Sequence, residues 1–74
     1  MILHTPDDVA RMLRRNPGRE YDLFRPGSNQ PIRLYARHSG LITIWPPHFS
    51  RPMHGMTTLT AFELGEGPYW LKPV

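Results

Sequence analysis

Proline and glycine set the strongest constraint on how this chain can fold. Nine prolines and six glycines occur among 74 residues, and they recur in clusters at positions 16–18, 26–27, 46–47 and 65–68. Proline ends helices and removes a hydrogen-bond donor from a β-ladder, and glycine permits the backbone conformations of tight turns. The pattern therefore predicts short helices and strands that are joined by sharp turns.

The size of the chain allows one hydrophobic core, so we expect a single domain over residues 1–74 that starts at Met1 as a complete reading frame. The sequence has no cysteine, which excludes disulfides, thiolate zinc sites and iron–sulfur clusters. The first residues contain no basic segment followed by a long apolar run. We therefore expect neither a signal peptide nor a membrane span, and we expect a cytoplasmic location.

One helix is predicted near the N-terminus. Thr5 is a suitable N-cap, Pro6 fits the first helical position, and the two aspartates that follow lie at the positive end of the helix dipole. A narrow apolar stripe formed by Val9, Met12 and Leu13 continues the helical pattern to about Arg15. The run Asn16-Pro17-Gly18 should end the helix.

Strands are predicted for the rest of the chain, at Glu20–Phe24, Ile32–Arg37, Leu41–Trp45, Thr57–Leu64 and Tyr69–Lys72. The second and third should form a hairpin around a glycine-containing loop. Leu41–Trp45 is apolar on both faces, which predicts the central strand. The expected fold class is α+β, with one N-terminal helix packed on a small antiparallel sheet of four or five strands, similar to a β-meander.

The first functional hypothesis concerns the segment from Pro46 to Met56. A long irregular connection in so small a domain is usually functional, and this one contains apolar side chains between prolines. Exposed Phe and Met side chains are typical of protein interfaces, although these could instead fold back on the core. We therefore predict a non-enzymatic regulator or accessory module, in the style of small phage-encoded proteins, that binds a larger protein partner through His48, Phe49, Arg51, Met53 and Met56.

The alternative hypothesis is nucleic-acid binding. Arg33, Tyr35 and Arg37 alternate along one strand face, where the ring can stack on a base and the guanidinium groups can hold phosphates. The predicted helix adds Arg11, Arg14 and Arg15, although helix electrostatics also explains their position. The net charge is +3 and eight of the nine basic residues are arginine. Because +3 is a modest charge for a nucleic-acid binder, the sequence favours the protein partner.

Catalytic and metal-binding patterns are not found in the sequence. The four histidines, at positions 4, 38, 48 and 54, do not form an i, i+4 helical pair. No serine lies in a nucleophile elbow, and no glycine-rich phosphate-binding motif is present. We therefore predict that the protein is not an enzyme and that it uses neither a cofactor nor a metal.

Overall fold

The computed structural model describes residues 2–45 and 55–74. Within these residues the elements are β1 (Ile2–Leu3), α1 (Pro6–Arg15), β2 (Tyr21–Phe24), β3 (Ile32–Ala36), β4 (Ile42–Trp45), α2 (Ala61–Leu64) and β5 (Tyr69–Pro73). The described strands form one antiparallel sheet in the order β1-β5-β2-β3-β4, and α1 packs on one of its faces. The predicted α+β fold with an N-terminal helix is confirmed, and the meander comprises β2, β3 and β4.

Helix α1 begins and ends as the sequence predicts. The Thr5 side chain accepts a hydrogen bond of 3.1 Å from the backbone N–H of Asp8, and the backbone N–H of Asn16 donates to the Leu13 carbonyl at the other end. Val9, Ala10 and Leu13 are buried against the sheet. Neither helix in the described part of the chain has the length and apolar character needed to cross a membrane.

The core lies between α1 and the face of the sheet that points toward it. Alternate strand residues point into this core, as period-two geometry requires. Leu34 of β3, for example, lies between Tyr21 of β2 and Ile44 of β4, and all three are buried. The other buried apolar residues of the cluster are Val9, Ala10, Leu13, Leu23, Ile32, Ala36, Ile42, Leu59, Leu64 and Tyr69.

The predicted position of β4 is wrong. This strand lies at one end of the strand order, whereas β2 lies in the middle between β5 and β3. On the outer side of β4, the described residues contribute an isolated bridge, in which the backbones of Ile42 and Met56 exchange two hydrogen bonds of 2.8 Å. The sequence was misleading because Thr43 is also buried, at 1% exposure, on the face opposite the core.

The predicted strand Thr57–Leu64 is also wrong, because its second half forms the short helix α2. Thr60 and Glu63 make a capping box, in which the Thr60 backbone N–H donates to the Glu63 carboxylate at 2.8 Å. Gly65 ends the helix with a φ of 75°, a left-handed value that favours glycine. Strand β1, which the sequence did not predict, pairs with β5 through two residues.

Candidate nucleic-acid interface

The second face of the sheet, opposite α1, carries most of the candidate functional residues. Among the described residues, the buried side chains of both helices belong to the core on the other face. Directly paired residues of neighbouring strands point to the same side, so the strand register defines the second face. We call it the open face, and it comprises Ile2, Asp22, Phe24, Arg33, Tyr35, Arg37, Thr43, Trp45, Trp70 and Lys72.

An apolar row crosses three strands of the open face. Trp70 of β5 lies between Ile2 of β1 and Phe24 of β2. Trp70 is 38% exposed, Ile2 is also exposed and Phe24 is half-buried. This row puts three apolar side chains next to one another, and two of them are aromatic rings that can contact other planar groups.

A charged row lies beside it. Asp22 of β2 is flanked by Lys72 of β5 and Arg33 of β3, and Arg33 in turn lies opposite Trp45 of β4. The guanidinium of Arg33 donates to the Asp22 carboxylate at 3.2 and 3.5 Å. This hydrogen bond, together with the negative charge of Asp22, raises the pKa of Arg33 above its usual value. With two cations to one carboxylate, the row keeps a positive charge.

The third row is formed by Tyr35 of β3 and Thr43 of β4. The Arg37 side chain, which follows β3, donates from Nε to the Thr43 hydroxyl at 3.0 Å. Arg37 is an exposed residue, and its guanidinium carbon lies near Gly55. A guanidinium has five N–H donors, so the bond to Thr43 does not use all of them. Arg37 therefore adds a second oriented guanidinium to the open face.

The structure brings together one of the predicted residue groups and separates another. Arg33, Tyr35 and Arg37 do share one strand face. Arg14 instead connects α1 to the rest of the fold, because its side chain donates to the carbonyls of Gly40 at 2.9 Å and Thr57 at 2.6 Å.

The remaining helix arginines also lie away from the open face. Arg11 and Arg15 line a small pocket between α1 and β1. Arg11 forms a salt bridge of 3.5 Å with Asp8. The helix and the open face are therefore two separate basic regions.

The structure describes one of the five predicted protein-binding residues, Met56. His48, Phe49, Arg51 and Met53 lie outside the described residues. Met56 is half-buried and packs against the core. This position agrees with the alternative interpretation, in which the side chain folds back on the core.

Sequence reasoning missed several residues of the open face. Phe24, Trp45, Trp70 and Lys72 were not identified, because their common face becomes evident only when β5 is placed beside β2. The alternation of β5 was visible in the sequence, but its neighbours were not. The missed residues supply three of the four aromatic rings on the open face.

Other kinds of site find no support in the described part of the chain. No group of three or more His, Asp or Glu side chains there could hold a metal ion. No protein-family model matches the sequence, and no curated protein or solved structure matches it significantly.

Proposed function

We propose that this protein binds single-stranded nucleic acid on the open face of its sheet. One observation carries the proposal: the strand register puts aromatic rings and cations together on a face that is not part of the core. The rings are Phe24, Tyr35, Trp45 and Trp70, and the cations are Arg33, Arg37 and Lys72.

The chemistry of these side chains matches an unpaired strand better than a duplex. Bases stack on exposed aromatic rings only when they are free of their own partners, and this contact tolerates any base. Trp70 is 38% exposed, so it offers surface for stacking while β5 fixes its position. Trp45, at 39% exposure, lies opposite Arg33 on the same face. Arginine and lysine side chains between the rings can neutralise the phosphates of the same strand.

The charge balance favours a polyanion over a protein partner for this face. Aromatic and arginine side chains also occur at protein–protein hot spots, so composition alone does not separate the two partners. Three cations and one carboxylate, Asp22, give the open face a positive charge, and the whole chain has a net charge of +3. Binding of a larger protein through residues 48–56 stays a separate prediction, because most of these residues lie outside the described ranges 2–45 and 55–74.

Intrinsic fluorescence tests the proposal directly, because the two tryptophans of the chain both lie on the open face. We expect short oligothymidylate and oligouridylate to quench this fluorescence at low salt, and the matched duplex to quench it much less. Affinity should fall with added salt, with a slope of about 0.7 per phosphate contact on a log–log plot. Absence of quenching by every single-stranded oligonucleotide at low salt would refute the proposal.

A matched pair of charge variants locates the contact. Lys72→Gln removes a cation from the open face, whereas Arg19→Gln removes one that lies over the ring of the core residue Tyr21. We expect Lys72→Gln to reduce the salt slope by about 0.7 and Arg19→Gln to leave it unchanged. Equal effects of the two variants would show that binding follows net charge and not the open face.

A further inference from the structure

Phe62 on α2 is the most exposed large apolar residue of the described chain, at 95% exposure. Its neighbours in sequence are well packed, since Leu59 and Leu64 both belong to the core. An aromatic side chain that becomes fully buried removes about 150–250 Å² of its surface from water. The segment around Phe62 is therefore firmly attached to the core and directs its ring outward.

The turn that carries Phe62 is held at both ends. The Phe62 backbone N–H donates to the Thr60 hydroxyl at 3.2 Å, within the capping box formed with Glu63. At the other end, the Arg25 guanidinium donates to the Leu64 carbonyl at 2.8 Å. Because the backbone that carries Phe62 is already ordered, binding costs little further backbone entropy.

A pocket of matching character lies between α1 and β1 of the same chain. Leu3 and Met12 supply apolar surface, while Asp8, Arg11 and Arg15 supply charged groups. Its volume is about 230 Å³, and it is partly open to solvent. An apolar cavity of roughly 150 Å³ holds benzene, so the volume is sufficient for a phenyl ring, which would contact apolar surface at Leu3 and Met12.

Charge complements the fit. Arg11 and Arg15 outnumber Asp8, which is paired with Arg11, so the pocket is positive. The segment with Phe62 carries the carboxylates of Glu63 and Glu66 instead. Opposite charges around an apolar contact favour its formation and fix its orientation.

Phe62 does not fill the pocket of its own chain, since its side chain is almost fully exposed. The two features nevertheless border the same part of the fold: Gly67, shortly after α2, lies against the carbonyl of His4, which connects β1 to α1. Two copies related by a twofold axis can therefore each insert a ring into the other, an isologous arrangement.

We propose that two copies of this chain form a dimer in which Phe62 of each inserts into the pocket of the other. The pocket is formed by Leu3, Asp8, Arg11, Met12 and Arg15. None of these residues belongs to the open face, so the proposal does not depend on nucleic-acid binding.

Sedimentation velocity over a concentration series tests the dimer. We expect wild type to pass from monomer to dimer, and Phe62→Ala to weaken the dimer at least about tenfold. The matched control is Trp70→Ala, which removes an exposed aromatic ring from the open face and should leave the dimer unchanged. A wild-type protein that stays monomeric throughout, or a Phe62→Ala variant with unchanged dimerisation, overturns the proposal.

Cross-linking tests the location, because the chain has no cysteine of its own. A mixture of the Phe62→Cys and Met12→Cys variants should form a mixed disulfide much faster than a mixture of Phe62→Cys and Ser28→Cys. Equal rates in the two mixtures overturn the proposed contact.

Reversal of two charges distinguishes dimer formation from phosphate binding in the pocket. Glu66→Arg and Arg15→Glu should each weaken the dimer, and combining them in one chain should restore it. If Arg15→Glu instead weakens oligonucleotide binding and leaves dimerisation unchanged, the pocket holds a phosphate and the dimer proposal is wrong.

Discussion

The two faces of the sheet use aromatic side chains in opposite ways. On the α1 side, Tyr21 and Tyr69 are buried, and the Tyr69 hydroxyl donates to the carbonyl of Gly65. On the open face, Trp45 and Trp70 keep more than a third of their surface in water. Trp45 lies opposite Arg33, and Trp70 lies in the apolar row beside the charged row. Because strand residues alternate between the faces, one face can stabilise the fold while the other is free to bind. Substitutions should therefore affect stability or binding according to the face that they occupy.

The largest expected effect is on stability, from Leu34→Ala on the α1 side. Leu34 is completely buried in β3, between Tyr21 and Ile44, so the truncation leaves a cavity in the centre of the core. We expect the free energy of unfolding to fall by about 2–5 kcal/mol, a large part of the total for so small a domain. Urea denaturation measures this loss. A loss well under about 1 kcal/mol would contradict the assignment of stability to this face.

Trp70→Ala, on the open face, should affect oligonucleotide binding more than it affects stability. Its ring is partly exposed on the open face, so we expect a smaller loss of stability than for Leu34→Ala. Loss of base stacking should weaken oligonucleotide binding by about 1–3 kcal/mol, as measured by the anisotropy of a labelled single strand.

The control for Trp70→Ala is Phe62→Ala, which truncates an exposed ring outside the open face. It should leave the affinity unchanged when the oligonucleotide is too short to reach a second copy. If Trp70→Ala reduces stability as much as Leu34→Ala and leaves binding unchanged, the two faces do not divide stability and binding between them.

Local patterns in the sequence were sufficient for the helix and for one strand face. The Thr5 cap and the buried positions of Val9 and Leu13 are determined within a few residues, and the structure confirms them. The alternation of β3 likewise predicted that Arg33 and Arg37 share a face. The order of the strands depends on pairing between distant segments, which periodicity does not encode. For this reason the sequence pattern predicts β4 in the centre and gives no sign that β5 contributes to the open face.

Residues 57–64 show a different kind of error. Threonine and apolar residues favoured a strand by propensity, but Thr60 and Glu63 have the spacing of a capping box, which was the stronger local signal. Burial of Leu59 and Leu64 then fixes the turn against the core. Because the segment was interpreted as a strand, the exposure of Phe62 could not be anticipated.

The smallest effect expected for the α1 side comes from Tyr69→Phe, which removes one hydroxyl. Loss of the hydrogen bond to the Gly65 carbonyl should lower the free energy of unfolding by about 1 kcal/mol at neutral pH. Tyr35→Phe removes a hydroxyl from the open face instead, and should change stability by less than about 0.5 kcal/mol.

The pH dependence of the Tyr69→Phe variant is a further test of whether the α1 side of the sheet stabilises the fold. Burial raises the pKa of Tyr69 above its ordinary value of 10.0, and the negative charge of Glu66 adds to this shift. The folded state therefore favours the neutral phenol, so the resulting stability is fully present below the unfolded-state pKa and is lost as pH rises through the folded-state pKa. Urea denaturation at increasing alkaline pH should show a shallower decline for Tyr69→Phe than for wild type. Identical declines would show that the Tyr69 phenol ionises equally easily in the folded and unfolded states. The burial of this hydroxyl on the α1 side would then make no pH-dependent contribution to stability.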